Sequence, residues 1–222
     1  MEKITVSLDE IENKTVQALI KHGAETWIAA EVGKAVRLAE ATKNIICGLY
    51  YLESYCLQLV SGRVDGKAVP RIYEPRPGSV LVDAKFGFAQ AAFSHGLAKS
   101  IEKVRNNGIA LLGIAHAHTC TSLGYFTKQI AENGFIGIGF ANASAIVAAP
   151  GGKNPILGTN PIAMSVPKRG GGVLFQFDQS TSAVALGKIT KAKAAGETIP
   201  LGWAVYSIGI PTTDPTAALQ GS

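Results

Sequence analysis

Residues 109–140 read IALLGIAHAHTCTSLGYFTKQIAENGFIGIGF, and residues 147–167 read VAAPGGKNPILGTNPIAMSVP. The apolar run 109–115 predicts a buried strand that empties into His116, His118, Thr119, Cys120, Thr121 and Ser122. A helix over 122–132 and a second buried strand over 135–140 follow. The turn Gly158-Thr159-Asn160-Pro161 then leads into a strand over 162–166. Short polar side chains gathered on loops at strand ends are the arrangement in which α/β folds keep their chemistry.

Working outward, Ser7-Leu8-Asp9-Glu10 is a capping box ahead of an apolar-periodic helix, with Gly23 as its stop. Helical spacing predicts further helices over 25–42 and 49–60, so the first 62 residues read as a helical unit. The proline-rich run 70–78 reads as a linker or an edge crossing. After it come a strand at 80–83, a helix over 90–106, and a strand at 173–177. Lys168 to Gly172 form the turn before that last strand, and residues 181–195 read as a helix. Strands alternating with helices give an α/β class.

The chain has 222 residues, 47% of them hydrophobic and 17% charged, a balance that buries a core and excludes a disordered chain. The net charge of +5 is scattered, without a basic stripe or interleaved aromatics. That excludes nucleic acid as the expected partner and leaves room for a phosphate-bearing small ligand. Cys47, Cys56 and Cys120 lack CxxC spacing, which points to reduced thiols and a cytoplasmic location. No apolar run reaches ~18 residues and no signal-peptide core follows Met1, so no membrane is expected as a partner.

Several motifs have plainer readings. Gly137 and Gly139 lack the third glycine and the later acidic residue of a dinucleotide fingerprint; they read as close-packing glycines in a strand. Pro150-Gly151-Gly152-Lys153 reads as a turn. His116, His118 and Cys120 alternate and would share a face if the strand ran on, but no carboxylate neighbours them. Hydrogen-bonding histidines are the better reading, and no metal is expected. Ser122 suits the cap of the helix after it, and Asp178 the cap of a helix starting near Thr181; either would also suit a ligand-binding loop. His22 and His95 read as helix-surface or packing residues.

An ordered series of motifs spans nearly the whole chain. It comprises Val82-Asp83-Ala84 with Gly87 and Gln90, Gly124-Tyr125, Glu132 to Gly137, Gly151-Gly152 and Leu157 to Ala163. It continues with Phe177-Asp178, Thr181-Ser182, Gly187-Lys188, Gly202-Trp203-Ala204 and Pro211 to Pro215. The series resembles the malate/L-lactate dehydrogenase family that is unrelated to Rossmann-type dehydrogenases and includes ureidoglycolate dehydrogenases and Δ1-pyrroline/Δ1-piperideine-2-carboxylate reductases. The resemblance implies a non-Rossmann α/β fold. Residues 1–75 would be the N-terminal helical part of a substrate and dimerisation domain, and 76–222 a mixed-sheet NAD(P)-binding domain.

It also implies a homodimer and NAD- or NADP-dependent hydride transfer at C2 of a small 2-oxo or 2-hydroxy carboxylate. A cyclic imino-acid reductase and a catalytically silent, truncated member are the alternatives. The implied cofactor residues are Thr119, Cys120, Thr121, Ser122 and Leu123, then Thr159 and Asn160, then Asp178, Gln179 and Ser180. Departures from the family pattern stand in the N-terminal Ser-His-Gly and Arg motif, where this chain has Cys47 and Tyr51, and at a second family histidine, which aligns with Thr119. His118 and Tyr51 are therefore the candidates for proton transfer. The family continues past the segment matching Ala217-Ala218-Leu219 into a glycine-rich, lysine-containing cofactor loop, so the expectation is a chain lacking the C-terminal part of its family.

Overall fold

The computed structural model describes residues 5–118 and 120–221. The chain opens with helices α1 (Leu8–Lys21), α2 (Thr26–Ala41) and α3 (Leu52–Val60). Ser7 Oγ accepts the Glu10 N–H at 3.1 Å, which satisfies one orphan donor of the first turn of α1. Leu19, Ile28, Val32, Val36 and Tyr55 pack with Phe88 into the first core. α2 closes in a Schellman turn, with the Lys43 N–H on the Glu40 carbonyl and the Asn44 N–H on the Ala39 carbonyl. Lys43, at φ 60°, holds the left-handed position that glycine usually takes.

The helix expected over 49–60 is interrupted. Two 3-10 turns, Ile45–Cys47 and Leu49–Tyr51, precede α3. Glu40 Oε1 folds under this bend and accepts the Leu49 N–H at 2.8 Å. A Cβ at Gly48 would stand 2.1 Å from that oxygen, so glycine is what lets the carboxylate in.

The proline-rich run is an edge strand and not a linker. β1 (Arg71–Arg76) pairs antiparallel with β2 (Ser79–Asp83), with an irregularity between Tyr73 and Arg76. Pro75 lies in that gap, where its missing N–H costs no ladder bond. α4 (Ala89–Asn107) then carries the chain to β3 (Leu111–Ala115), parallel to β2. Val80, Val82 and Ala92 form a small core there, with Leu112 and Ile114 against it. β3 borders this three-stranded sheet and is not deeply buried as expected; Leu111 is 60% exposed.

The second half holds α5 (Gly124–Glu132), β4 (Gly137–Phe140), β5 (Val147–Ala148), β6 (Pro155–Leu157), β7 (Ile162–Pro167) and β8 (Val173–Gln179). α6 (Leu186–Ala195), β9 (Ala204–Val205), β10 (Pro211–Thr212) and α7 (Pro215–Gly221) complete it. β4, β7 and β8 form an antiparallel sheet. Mixed pairing, antiparallel then parallel, lies in β1–β3. α5 lies on one face of β4-β7-β8, and a Cβ at Gly137 would meet the Thr127 carbonyl at 2.8 Å. This is the close approach expected of that glycine. The strand is buried on that side only: Ile138 and Phe140 on β4 are 54% and 72% exposed.

The helix expected over 181–195 begins only at Leu186. Ser180 Oγ accepts the Ser182 N–H, and Ser182 Oγ donates to the Val184 carbonyl at 2.9 Å. These local bonds offer the backbone an alternative to helix. No helix among the described residues is long and apolar enough to cross a membrane.

Candidate active site

The functional loops meet at the N-terminus of α5. Asp178 Oδ2, at the end of β8, accepts Ser122 Oγ–H at 2.7 Å and the Gly124 N–H at 2.8 Å. Asp178 therefore caps α5 from a distant strand, where the helix dipole favours its charge. This corrects both capping expectations. Ser122 spends its proton on Asp178 and caps nothing, and Asp178 does not cap a helix near Thr181. Beneath this joint, Gln176 Nε2 donates to the Gly124 carbonyl at 2.7 Å and to Ser165 Oγ at 2.9 Å. Ser165 Oγ in turn shares a hydrogen bond with Thr127 Oγ1 at 2.8 Å. A polar network in the sheet thus fixes the start of α5.

The Thr159 turn is tied to the same strand end. The Thr159 carbonyl accepts the Thr181 N–H at 2.9 Å and Ser180 Oγ–H at 3.0 Å. Asn160, at φ 27°, accepts the Ala143 N–H on Oδ1 at 3.0 Å. A Cβ at Gly158 would come within 2.3 Å of the Ala143 carbonyl. The structure brings Ser122, Asp178, Ser180, Thr159 and Asn160 into one continuous set of loops.

A second group lies deeper, where the helical unit meets the loop after β3. Among the described residues, Gln90 Oε1, His118 Nε2 and the Tyr55 hydroxyl, the last beside Thr121, are buried without a hydrogen-bond partner, as are Thr15 Oγ1 and Gln58 Oε1 in the helical unit. Phe88 stands between two of them, its ring 5.6 Å from that of Tyr55 and 6.1 Å from that of His118. Gln90 Nε2 reaches the Cys120 carbonyl at 3.4 Å, and Thr121 Oγ1 donates to the same carbonyl at 2.7 Å. Orphaned buried polar atoms are costly, so each calls for a partner or a function.

Titration follows burial here. His118 is held below the ordinary histidine range, first by burial and then by Arg63. Burial, with the Asp178 carboxylate next, pushes the Cys47 thiol up to about 11. Cys120 is raised chiefly by burial. Tyr51 is raised by burial and then by Cys47, and its ring stacks on that of Tyr55 at 6.1 Å. At neutral pH this part of the site is a set of uncharged thiols, phenols and imidazole.

Ser122, Thr159, Asn160, Asp178 and Ser180 thus belong to the first set of loops, and Tyr51, His118, Cys120 and Thr121 to the second group. Leu123 does not present its side chain there; it packs in the core with Phe93 and Phe126. Gln179 follows Asp178 on β8, and strand alternation turns it to the other face. Thr119 lies outside the described residues. His116 leaves the strand at φ 50° and bonds Asp83 Oδ1 through Nδ1 at 3.0 Å, so it does not share a face with His118 and Cys120. Tyr55 and Gln90 were not among the expected site residues. The orphan at Tyr55 exists only because tertiary packing buries it, and no local pattern signals that.

A model of the malate/L-lactate dehydrogenase family matches residues 6–222. The chain belongs to that family. It is 39% identical over 98% of its length to a (2R)-3-sulfolactate dehydrogenase (NADP(+)) of Chromohalobacter salexigens. It is 36% identical over 99% of its length to a Delta(1)-pyrroline-2-carboxylate/Delta(1)-piperideine-2-carboxylate reductase of Pseudomonas aeruginosa. The crystal structure of a delta1-piperideine-2-carboxylate reductase from Pseudomonas syringae superimposes with a TM-score of 0.91 at 33% identity, over 98% of this chain. The chain spans 65% of the length of each of these relatives. The α/β fold with its N-terminal helices is that of the malate/L-lactate dehydrogenase family.

Proposed function

We propose that this chain is the dinucleotide-binding and proton-handling part of an NAD(P)H-dependent oxidoreductase acting at C2 of a small 2-oxo or 2-hydroxy carboxylate. The observation that carries it is the loop after β3, which holds the buried, unpartnered His118 Nε2 and, four residues on, Ser122 bonded to the fixed carboxylate of Asp178. A reduced nicotinamide dinucleotide fits this set. Asp178 Oδ1 takes no described donor and can accept from a ribose hydroxyl or an amide. The Thr159, Ser180 and Ser122 loops supply short polar groups around it, and the buried phenol and imidazole lack only a ligand.

Bound dinucleotide would supply the hydride. The chain's own residues handle the rest. Phe88 and Tyr55 exclude water, and Asp178 with Thr159 orients. His118 is uncharged at neutral pH, so Nε2 is ready to take the proton of a 2-hydroxy acid; in the reductive direction it must first be charged. Tyr51 and Tyr55 keep their protons and donate hydrogen bonds to the substrate oxygen or nitrogen. Residues 1–75 serve the substrate and dimer side, residues 76–222 the dinucleotide side. The working form is a cytoplasmic homodimer.

A cyclic imino acid is the second reading. Relatives named as pyrroline-2-carboxylate reductases and the uncharged Cys47, Tyr51 and Tyr55 beside the site support it. The test is consumption of NADPH or NADH with pyruvate, oxaloacetate or Δ1-pyrroline-2-carboxylate. Turnover of one of them supports the reading. Dinucleotide binding without turnover of any would mark a silent family member, and absence of both would end it.

A further inference from the structure

Next to Asp178 lies a cleft of about 590 Å³ between the turn after α2, the start of α5, β8 and α6. Lys43, Lys188 and Lys191 line it, and among the described residues none of the three side-chain ammonium groups forms an ion pair or a hydrogen bond. Among the described residues Lys14, Lys21, Lys67, Lys153, Lys168 and Lys193 bridge no carboxylate either, so what sets these three apart is that they share one concavity. Three free ammonium groups in one concavity repel each other and stay together best when an anion joins them.

Two features show that the lysines are placed. Lys43 occupies the left-handed C′ position of α2, at φ 60°, where glycine would be unstrained. Backbone strain of this kind is retained where a side chain is needed at that spot. Lys188 and Lys191 share one face of α6 at i, i+3 spacing. The first turn of α6 is pinned to the turn carrying Lys43, because a Cβ at Gly187 would stand 2.8 Å from an Ile46 methyl. The same packing holds all three cationic stems over one cleft.

We propose that Lys43, Lys188 and Lys191 form an oxyanion subsite. This rests on the oxidoreductase reading and deepens it. The site then pairs an acceptor for hydroxyl and amide groups, Asp178, with donors for an oxyanion. Phosphate groups of the dinucleotide share that chemistry with the acidic group of the substrate. A lysine cluster binds either as a set of point charges without a planar fork.

Calorimetric titration of the chain with inorganic pyrophosphate tests the subsite without any catalysis. Saturable, salt-sensitive binding is expected, weakened about tenfold or more in the Lys188→Gln/Lys191→Gln double variant and in Lys43→Gln. Lys168→Gln, in the β7–β8 turn outside the cleft, should leave it unchanged. Equal weakening in Lys168→Gln, or no saturable binding to the wild type, would overturn the proposal. Titrations with NADPH, NADH and 3-sulfopyruvate then identify the source. Loss for both dinucleotides marks the pyrophosphate, loss for NADPH alone the 2′-phosphate, and loss for the oxo acid alone the substrate. If wild type binds pyrophosphate but neither dinucleotide, the oxidoreductase reading fails while the subsite stands.

Discussion

Asp178, at the end of β8, and His118, on the loop after β3, are both residues of the proposed site and are in opposite states. Asp178 Oδ2 is met by a hydroxyl and a backbone N–H that also seat a helix. His118 Nε2 is buried with nothing to bond. The first is a group the fold needs; the second is a group the fold alone leaves unsatisfied. The difference separates scaffold from chemistry within one site, and it gives each residue a different signature when changed.

The largest expected effect is on turnover. His118→Asn should lower kcat by about 10²–10⁴-fold while thermal unfolding stays near wild type, as measured by NADPH consumption and circular dichroism. A loss of stability instead would place His118 with the scaffold. Its depressed pKa gives a sign for pH as well. In the oxidative direction His118 must be uncharged, so the rate should rise with pH through a value below the ordinary 6.5 and level off above it. A profile without that acid limb would move the base elsewhere.

The scaffold predictions are next. Gly137→Ala drives a Cβ against the Thr127 backbone and should cost about 1–3 kcal/mol in denaturant unfolding. Asp178→Ala removes the distant cap of α5 and should cost about 1–2 kcal/mol. An Asp178→Ala variant as stable as wild type would leave that carboxylate only its proposed part in holding the dinucleotide and collapse the distinction. The smallest effect is a null: Cys47, its thiol raised to about 11, should react negligibly with iodoacetamide at neutral pH. Its alkylation should rise only as pH approaches that value.

Local features were legible in the sequence. Ser7 capping Glu10, the turn from Lys168 to Gly172 and the packing glycine at Gly137 each depend on near neighbours or on a residue's own shape. The ordered motifs also placed the chain in its family. Contacts across the fold were not legible. Ser122 and Asp178 both looked like caps of the helices following them, and the actual bond joins them across more than fifty residues. The run 70–78 left a linker and an edge crossing open because sequence does not tell an edge strand from a loop. The burial of β3 and β4 was overstated because an apolar run does not say how many sides are covered. Tyr55 gave no sign, since its orphaned hydroxyl arises only when α3 packs against Phe88.

The most direct test follows the ring signals of the four histidines by NMR as NADH is added. The account predicts that His118 shifts saturably, while His22 and His95, on α1's end and α4, stay fixed. A His118 signal that does not move at saturating NADH, or one that moves no more than the two helix histidines, would contradict it.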